Sequence, residues 1–356
     1  MNLYENDLYM DDVRLVGGLE LPWEKLRDKS FMLTGATGLI GSFLVDVILE
    51  KNLSDDLNCM VLALGRNEEK AKNRFRRHLD GNHFRFIPYD VKLPFLGEDI
   101  GDVDYVLHLA SNTHPMQYST DPIGTITTNI IGLKNMLDFA AGHKTVRFAF
   151  ASSNEVYGEN RGDAEFFDEN YCGYINSNTM RAGYPESKRC GEALCQAYQV
   201  QKGLDIVIPR FTRSYGPTML PADTKAVSQF IKKGIAGEDI VLKSIGTQHY
   251  SYTYVSDAVS GLLYILLLGE SKEAYNIAEE HNDIRLRDLA SLIAKANGKD
   301  VVFEIPDEAE CVGYSTATKA RLDGRKLQSL GWRPAYDIEK GIKRTLEILS
   351  AVKGKR

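Results

Sequence analysis

The sequence predicts an α/β fold, a doubly wound parallel sheet followed by a smaller C-terminal α/β portion. Three observations predict it. From Ser30 to Arg210, short apolar and β-branched runs alternate with stretches of helical period, the pattern of parallel strands buried on both faces and joined by crossover helices. A glycine-rich turn separates the first such strand from the first such helix. The length, 356 residues with 43% apolar and 26% charged, suits one large domain with an annex, or two units.

Taken in order, residues 1–29 are mixed in character and read as an N-terminal extension with a short amphipathic piece at 22–27. Strands are expected at 30–34, 59–64, 84–89, 105–109, 147–151 and 205–209. Helices are expected between them at 39–51, 68–79, 125–141 and 184–202. After Arg210 the rhythm loosens. Pro209, Pro217 and Pro221 punctuate a loop before a helix at 225–234, short strands near Ile240 and Ser251, and an apolar helix at 257–268. A helix at 286–296, a strand at Val301 and a last helix from Ile338 complete the chain.

Composition excludes several classes. A formal charge of -6 argues against a general nucleic-acid or anionic-membrane binder. The longest apolar run, Leu262 to Leu268, is too short to cross a bilayer. The first residues carry neither a basic nor an apolar leader segment, so cytoplasmic residence is expected. The five cysteines, Cys59, Cys172, Cys190, Cys195 and Cys311, form no CxxC pair and no zinc spacing, so reduced thiols and no metal site are expected.

The turn itself reads Thr34-Gly35-Ala36-Thr37-Gly38-Leu39-Ile40-Gly41. Gly35 permits the tight turn, Gly38 lets backbone amides approach a pyrophosphate, and Gly41 permits close helix-to-strand packing. The helix that starts at Leu39 and Ile40 presents free N–H groups and a positive dipole end to phosphates. Strand before and amphipathic helix after make this a dinucleotide site, and the sheet a Rossmann fold. The NAD(P)-binding domain is therefore drawn at 30–210, rejoined by about 245–270, with 211–244 and 271–356 as the substrate-binding portion. The second strand ends in Gly65-Arg66-Asn67 without the acid that usually accepts from an NAD ribose, and Arg66 can pair with a 2′-phosphate. NADP is slightly favoured on these residues. Asp90 and Val91, after the third strand, are expected near the adenine edge, and Leu109, Ala110 and Ser111, after the fourth, near the nicotinamide ribose.

Tyr184 and Lys188 stand four apart on one helix face, a spacing at which the ammonium is expected to lower the phenol's pKa and make it a base. Upstream, the fifth strand ends in Ala151-Ser152-Ser153-Asn154-Glu155-Val156-Tyr157-Gly158. Strand C-termini are where open parallel sheets bind ligands. Ser153 can bond the reacting oxygen, and Glu155 offers a carboxylate for proton transfer at a neighbouring carbon.

These residues, with His108-Leu109-Ala110, the run from Arg210 to Pro217, Tyr254-Val255-Ser256-Asp257 and Leu330-Gly331-Trp332, resemble the extended short-chain dehydrogenase/reductase family. The resemblance lies with its NAD-dependent epimerase/dehydratase branch acting on nucleotide sugars, including 4,6-dehydratases and UDP-glucuronate decarboxylases. It implies that Tyr184 is the base, that Lys188 holds Tyr184 and the nicotinamide ribose, and that Ser153 orients a sugar 4-hydroxyl. It implies oxidation at C4 by tightly bound NAD(P), reaction of the 4-keto sugar, and frequent return of hydride. It also pulls the cofactor expectation toward NAD, and implies a homodimer paired through helices 125–141 and 184–202. Ile126, Ile130, Leu133, Leu137, Leu194, Ala197 and Tyr198 are the candidate pairing residues.

Glu155 speaks against a simple 4-epimerase, whereas dehydratases place Asp-Glu or Ser-Glu there and decarboxylases the Ser-Glu form. Asn154 cannot donate a proton as an acid. Arg181, three before Tyr184, resembles the decarboxylase branch. On the substrate side, Arg213 stands where the family commonly has Asn, and Tyr250 where it usually has a diphosphate-binding arginine. Tyr314, Lys319 and Arg321 stand where members often place further contacts. The expected function is a nucleotide-sugar 4,6-dehydratase or epimerase-type enzyme. The alternatives are a UDP-glucuronate decarboxylase-like enzyme, an NADPH-dependent ketone reductase or a non-catalytic NAD(P)-sensing protein.

Overall fold

The computed structural model describes residues 2–95, 97, 100–113, 115–305 and 318–354. Cys311 and Tyr314 lie outside these residues.

The N-terminal segment is not a loose extension. Helix α1 (Asp7–Gly17) is capped by Asn6, whose side chain accepts from Tyr9 N at 3.0 Å, and it buries Tyr9, Met10, Val13 and Val16. The reason is its 3.6-residue apolar stripe, which no motif announces. Then come β1 (Ser30–Thr34), α2 (Leu39–Asp55), β2 (Met60–Gly65), α3 (Glu68–Phe75), β3 (Phe84–Pro88) and β4 (Tyr105–His108). After these follow α4 (Pro115–Thr120), α5 (Pro122–Gly142), β5 (Arg147–Phe150), the short β6 (Ser152–Ser153), α6 (Gly183–Lys202) and β7 (Ile206–Phe211). Asp121 caps α5 by accepting from Gly124 N at 3.0 Å, with Pro122 in the first turn, and Gly203 ends α6 in the left-handed region at φ 70°.

The remaining elements are β8 (Arg213–Tyr215), α7 (Ala226–Ala236), β9 (Ile240–Leu242), β10 (His249–Tyr254), α8 (Val255–Leu268) and β11 (Ala274–Ile277). Last come β12 (Asp283–Arg285), α9 (Leu286–Ala296), β13 (Val301–Phe303), β14 (Lys319–Ala320), α10 (Arg325–Ser329) and α11 (Ile338–Lys353).

The main sheet is parallel, in the order β11-β7-β5-β4-β1-β2-β3, with β6 also pairing β7. Thus β11, expected in the smaller portion, is the edge strand of the main sheet. Alternate residues of each strand enter opposite cores. Phe31 and Leu33 join Phe43, Val47 and Val259, Leu262 and Leu263 of α8 on one face, while Met32 joins Leu133, Leu137 and Cys195 on the other. In the smaller portion, β8 and β14 pair β10 in parallel, β12 pairs it antiparallel, and β9 pairs β13.

One buried carboxylate ties the ends of the fold together. Asp12 of α1 accepts from Tyr254 Oη at 2.6 Å, Tyr336 Oη at 2.7 Å and Arg344 Nε at 2.6 Å. The family-like Asp257 is also buried, accepting from the backbone N–H groups of Ala335 at 2.7 Å and Tyr336 at 3.1 Å, so that motif is structural. Among the described residues no helix is long and apolar enough to cross a membrane.

Candidate functional site

The strand order reverses between β1 and β4, and the crevice beyond their C-terminal ends is where such sheets bind ligands. Here it is a cleft of about 930 Å³. The residues expected to act in catalysis and to hold the cofactor line it, as do Arg181, Arg213 and Tyr250 on the substrate side.

Gly35 has φ +70°, and a Cβ on it would lie 2.8 Å from Ala110 N, so the turn crowds the end of β4 as well as bending tightly. A Cβ on Gly41 would sit 2.5 Å from Gly35 O. Gly38 is the N-cap of α2 and supplies no capping side chain, so the first-turn amides meet the cleft without one. This cradle fits a dinucleotide pyrophosphate.

Arg66 is exposed at the tip of β2. Asp90 accepts from Lys92 N at 3.0 Å, and Val91 packs against Gly132 of α5, where a Cβ would lie 2.7 Å from its side chain.

At the middle of the cleft Tyr184 is buried, and its phenol pKa is pushed up to about 12, first by burial and then by the Glu155 carboxylate. The hydroxyls of Ser153 and Ser111 and the Arg181 guanidinium act the other way. The expectation that Lys188 lowers this pKa does not hold here. Its ammonium is drawn to Ala151 O at 2.7 Å, sits 5.9 Å from the Tyr184 ring centre, and is itself brought down to about 8 by burial. Buried Asn154 places Oδ1 3.5 Å from Ser153 Oγ, which accepts from Glu155 N at 3.3 Å.

Glu155 is not a free carboxylate. Both its oxygens lie 2.6 Å from Arg181 Nη2. Arg181 in turn covers the Tyr118 ring at 4.8 Å, and Tyr118 stacks on Tyr184 with centroids 4.8 Å apart. Arg181 Nε and Nη1 are buried without a hydrogen-bond partner among the described residues.

Beyond Tyr184, Arg213 lies with Cζ 3.4 Å from the Tyr250 ring centre, and its Nη1 is likewise buried and unpartnered. Pairing of β8 with β10 sets Arg213 opposite Tyr252 and so brings the two departures from the family pattern together. Lys319 and Arg321 lie off the cleft wall. Arg321 instead bonds Asp283 at 2.8 Å and Glu165 at 3.1 Å.

Several site residues carry no motif. Tyr118 has no sequence signal. Asn129 of α5 accepts from Ser111 Oγ at 2.7 Å and donates to Ser187 Oγ at 2.8 Å, fixing Ser111 beside Tyr184, yet it reads as an ordinary helix amide. Lys70 joins Arg66 on the cleft wall, one helical turn after it, and that spacing was the available signal.

A model of the NAD dependent epimerase/dehydratase family matches residues 31–278. UDP-glucuronic acid decarboxylase 1 of Danio rerio is 32% identical over 327 residues, covering 90% of this chain and 73% of that protein. UDP-glucuronic acid decarboxylase 6 of Arabidopsis thaliana is 30% identical over 312 residues, covering 87% and 86%. Among solved structures, UDP-glucose 4-epimerase of Thermotoga maritima with UDP-glucose has a TM-score of 0.78 at 24% identity, covering 91% of this chain and 99% of that one. A dTDP-glucose 4,6-dehydratase of Streptomyces venezuelae with NAD bound also has a TM-score of 0.78 at 24% identity, covering 92% and 98%. These structures share the fold.

Proposed function

The chain belongs to the NAD dependent epimerase/dehydratase family, and we propose that it converts a nucleotide sugar through transient oxidation at C4, with NAD(P) lying along the Gly35–Gly41 end of the cleft. The observation that carries this is the convergence, in one cleft, of the glycine cradle and the Tyr184–Ser153–Ser111 hydroxyl cluster. Bound in that cradle, the cofactor supplies hydride acceptance from the sugar and hydride return. Tyr184 takes the 4-hydroxyl proton, Ser153 orients that oxygen, and Lys188, anchored on Ala151 O, holds the nicotinamide ribose beside Tyr184. The 30–210 portion, rejoined by 245–270, serves the cofactor, and the rest of the chain after Arg210 serves the sugar nucleotide.

For the second half of the reaction, the dehydratase or epimerase-type reading has Glu155 remove the C5 proton, which requires its release from Arg181. The Glu155–Arg181 pair and the decarboxylase relatives favour a second reading. A 4-keto uronate is a β-keto acid: as CO₂ leaves, the C5–C6 bond pair passes onto the C4 carbonyl as an enolate that is then protonated at C5. No base is therefore needed to remove a C5 proton, and the unpartnered N–H groups of Arg181 suit a carboxylate. Mass spectrometry of products from a panel of nucleotide sugars tests both. Loss of 18 mass units marks dehydration, loss of 44 marks decarboxylation, and an unchanged mass marks epimerisation or inactivity, which chromatography of the recovered sugar nucleotide separates. Neither a mass change nor a new isomer from any member defeats the proposal.

We also place the protein as a homodimer paired through α5 and α6. Leu133 and Leu137 are spent in its own core, so the pairing face reduces to exposed Ile126, the half-buried Ile130, Leu194, Ala197 and Tyr198, and their neighbours. A monomer by light scattering at micromolar concentration overturns this. Cys59, Cys172, Cys190 and Cys195 are free thiols among the described residues.

A further inference from the structure

We infer that Arg66 and Lys70 together form a 2′-phosphate subsite that makes this chain selective for NADP(H), within a family described by its dependence on NAD. The inference rests on the reading that a dinucleotide occupies the cleft.

The two cations come from different elements joined by a fixed stretch of backbone. Arg66 follows β2 directly, and Lys70 lies in the first turn of α3. Between them Asn67 caps the helix, its side chain accepting from Lys70 N at 2.7 Å, so the backbone joining the cations is fixed. Both line the cleft beside Gly65 and Tyr89, where the ribose next to adenine would lie if the pyrophosphate sits on the Gly35–Gly41 turn.

Neither side chain has a hydrogen bond or ion pair among the described residues, although carboxylates are close in sequence. Glu68 is taken by Lys72 at 2.8 Å, and neither Glu68 nor Glu69 lines the cleft. Asp90 is the one carboxylate on this stretch of wall; it bonds Lys92 N at 3.0 Å and has Lys92 Nζ at 3.8 Å. Half-burial lowers the Lys70 ammonium pKa, as for a cation partly withdrawn from water without a counter-ion. A phosphate dianion supplies the missing charge to both groups, whereas a bare ribose hydroxyl leaves two neighbouring cations unneutralised.

The test is calorimetric titration of the full chain with NADP⁺, NAD⁺ and 2′,5′-ADP, which carries the 2′-phosphate without nicotinamide. Wild type is expected to bind NADP⁺ at least about tenfold more tightly than NAD⁺, and to bind 2′,5′-ADP. Arg66→Ala and Lys70→Gln are each expected to weaken NADP⁺ and 2′,5′-ADP by about 10–100-fold, the scale of a charged hydrogen bond, while leaving NAD⁺ within about twofold. Circular dichroism and the melting temperature check that both variants fold. Tighter binding of NAD⁺ by wild type overturns the inference. So does equal weakening of both dinucleotides, which would make Arg66 an adenine-stacking residue. Binding of neither dinucleotide by folded wild type removes the dinucleotide reading itself, and this subsite with it.

Discussion

The two ends of the cleft are built in opposite ways. The Gly35–Gly41 end is made of backbone, eight consecutive residues from Thr34 whose glycines are required because a Cβ would strike Ala110 N or Gly35 O. The Arg213–Tyr250 end is made of side chains from separate strands, a guanidinium 3.4 Å over the centre of a phenol ring. A backbone site admits few residue types and is written in adjacent positions. A side-chain site can move its charge from one strand to a neighbour and keep the cleft, so a departure at each of two positions need not mean lost function.

Substitutions can break or sharpen that contrast. The largest effect is expected where the ends meet. Tyr184→Phe and Lys188→Met are each expected to cut turnover by about 10²–10⁴-fold with the fold intact by circular dichroism. Near-wild-type rates in a folded Tyr184→Phe would remove the base. Next, Glu155→Gln is expected to slow the chemistry that follows C4 oxidation by about 10²-fold, so that reduced cofactor accumulates, read as absorbance on mixing with substrate. Full activity would make Glu155 structural.

At the backbone end, Gly41→Ala is expected to cost about 1–3 kcal/mol of stability and to lose cofactor affinity, measured by melting and calorimetry. At the side-chain end, Arg213→Ala is expected to raise KM about tenfold and leave kcat and cofactor binding nearly unchanged. A harmless Gly41→Ala beside an inactive Arg213→Ala would invert the contrast. The smallest expected effect is on pH dependence. The phenol must lose its proton before it can accept one, so the rate of C4 oxidation climbs with pH below the Tyr184 pKa. Glu155 raises that pKa and Arg181 lowers it. Glu155→Gln therefore moves the climb to lower pH and Arg181→Ala to higher pH, by stopped-flow measurement of cofactor reduction, and no movement in either would detach the pair from Tyr184.

The same contrast explains what could be read in the sequence. Strands β1 to β5 and β7, the turn and the Tyr184–Lys188 spacing depend on local period and on glycine, and they were legible. Helix α1 was not, since its stripe lies in a segment without strand rhythm or motif. The strand β11 was missed as part of the main sheet because its partner is β7, more than sixty residues earlier. The Glu155–Arg181 pair spans 26 residues and a loop, and the Tyr118 stack spans two helices. Neither has a period to betray it. The phenol pKa went the wrong way because spacing reports that Lys188 is near Tyr184, whereas burial and the ammonium's bond to Ala151 decide its influence.

Asp12 carries a consequence for how the molecule is made. Its carboxylate is fully buried, and its cationic partner, Arg344, lies 332 residues later. A ribosome adding about 5–20 residues per second delivers that partner roughly 15–65 s after Asp12 itself. Through that interval α1 has no guanidinium to neutralise a charge it must bury, and burying an unpaired carboxylate is costly. The docking of α1 is therefore expected to wait for Arg344, although α1 is synthesised long before it. Closure of the fold is then expected to wait for α11, and until it arrives the surface that α1 covers on α2 and α8 stays open.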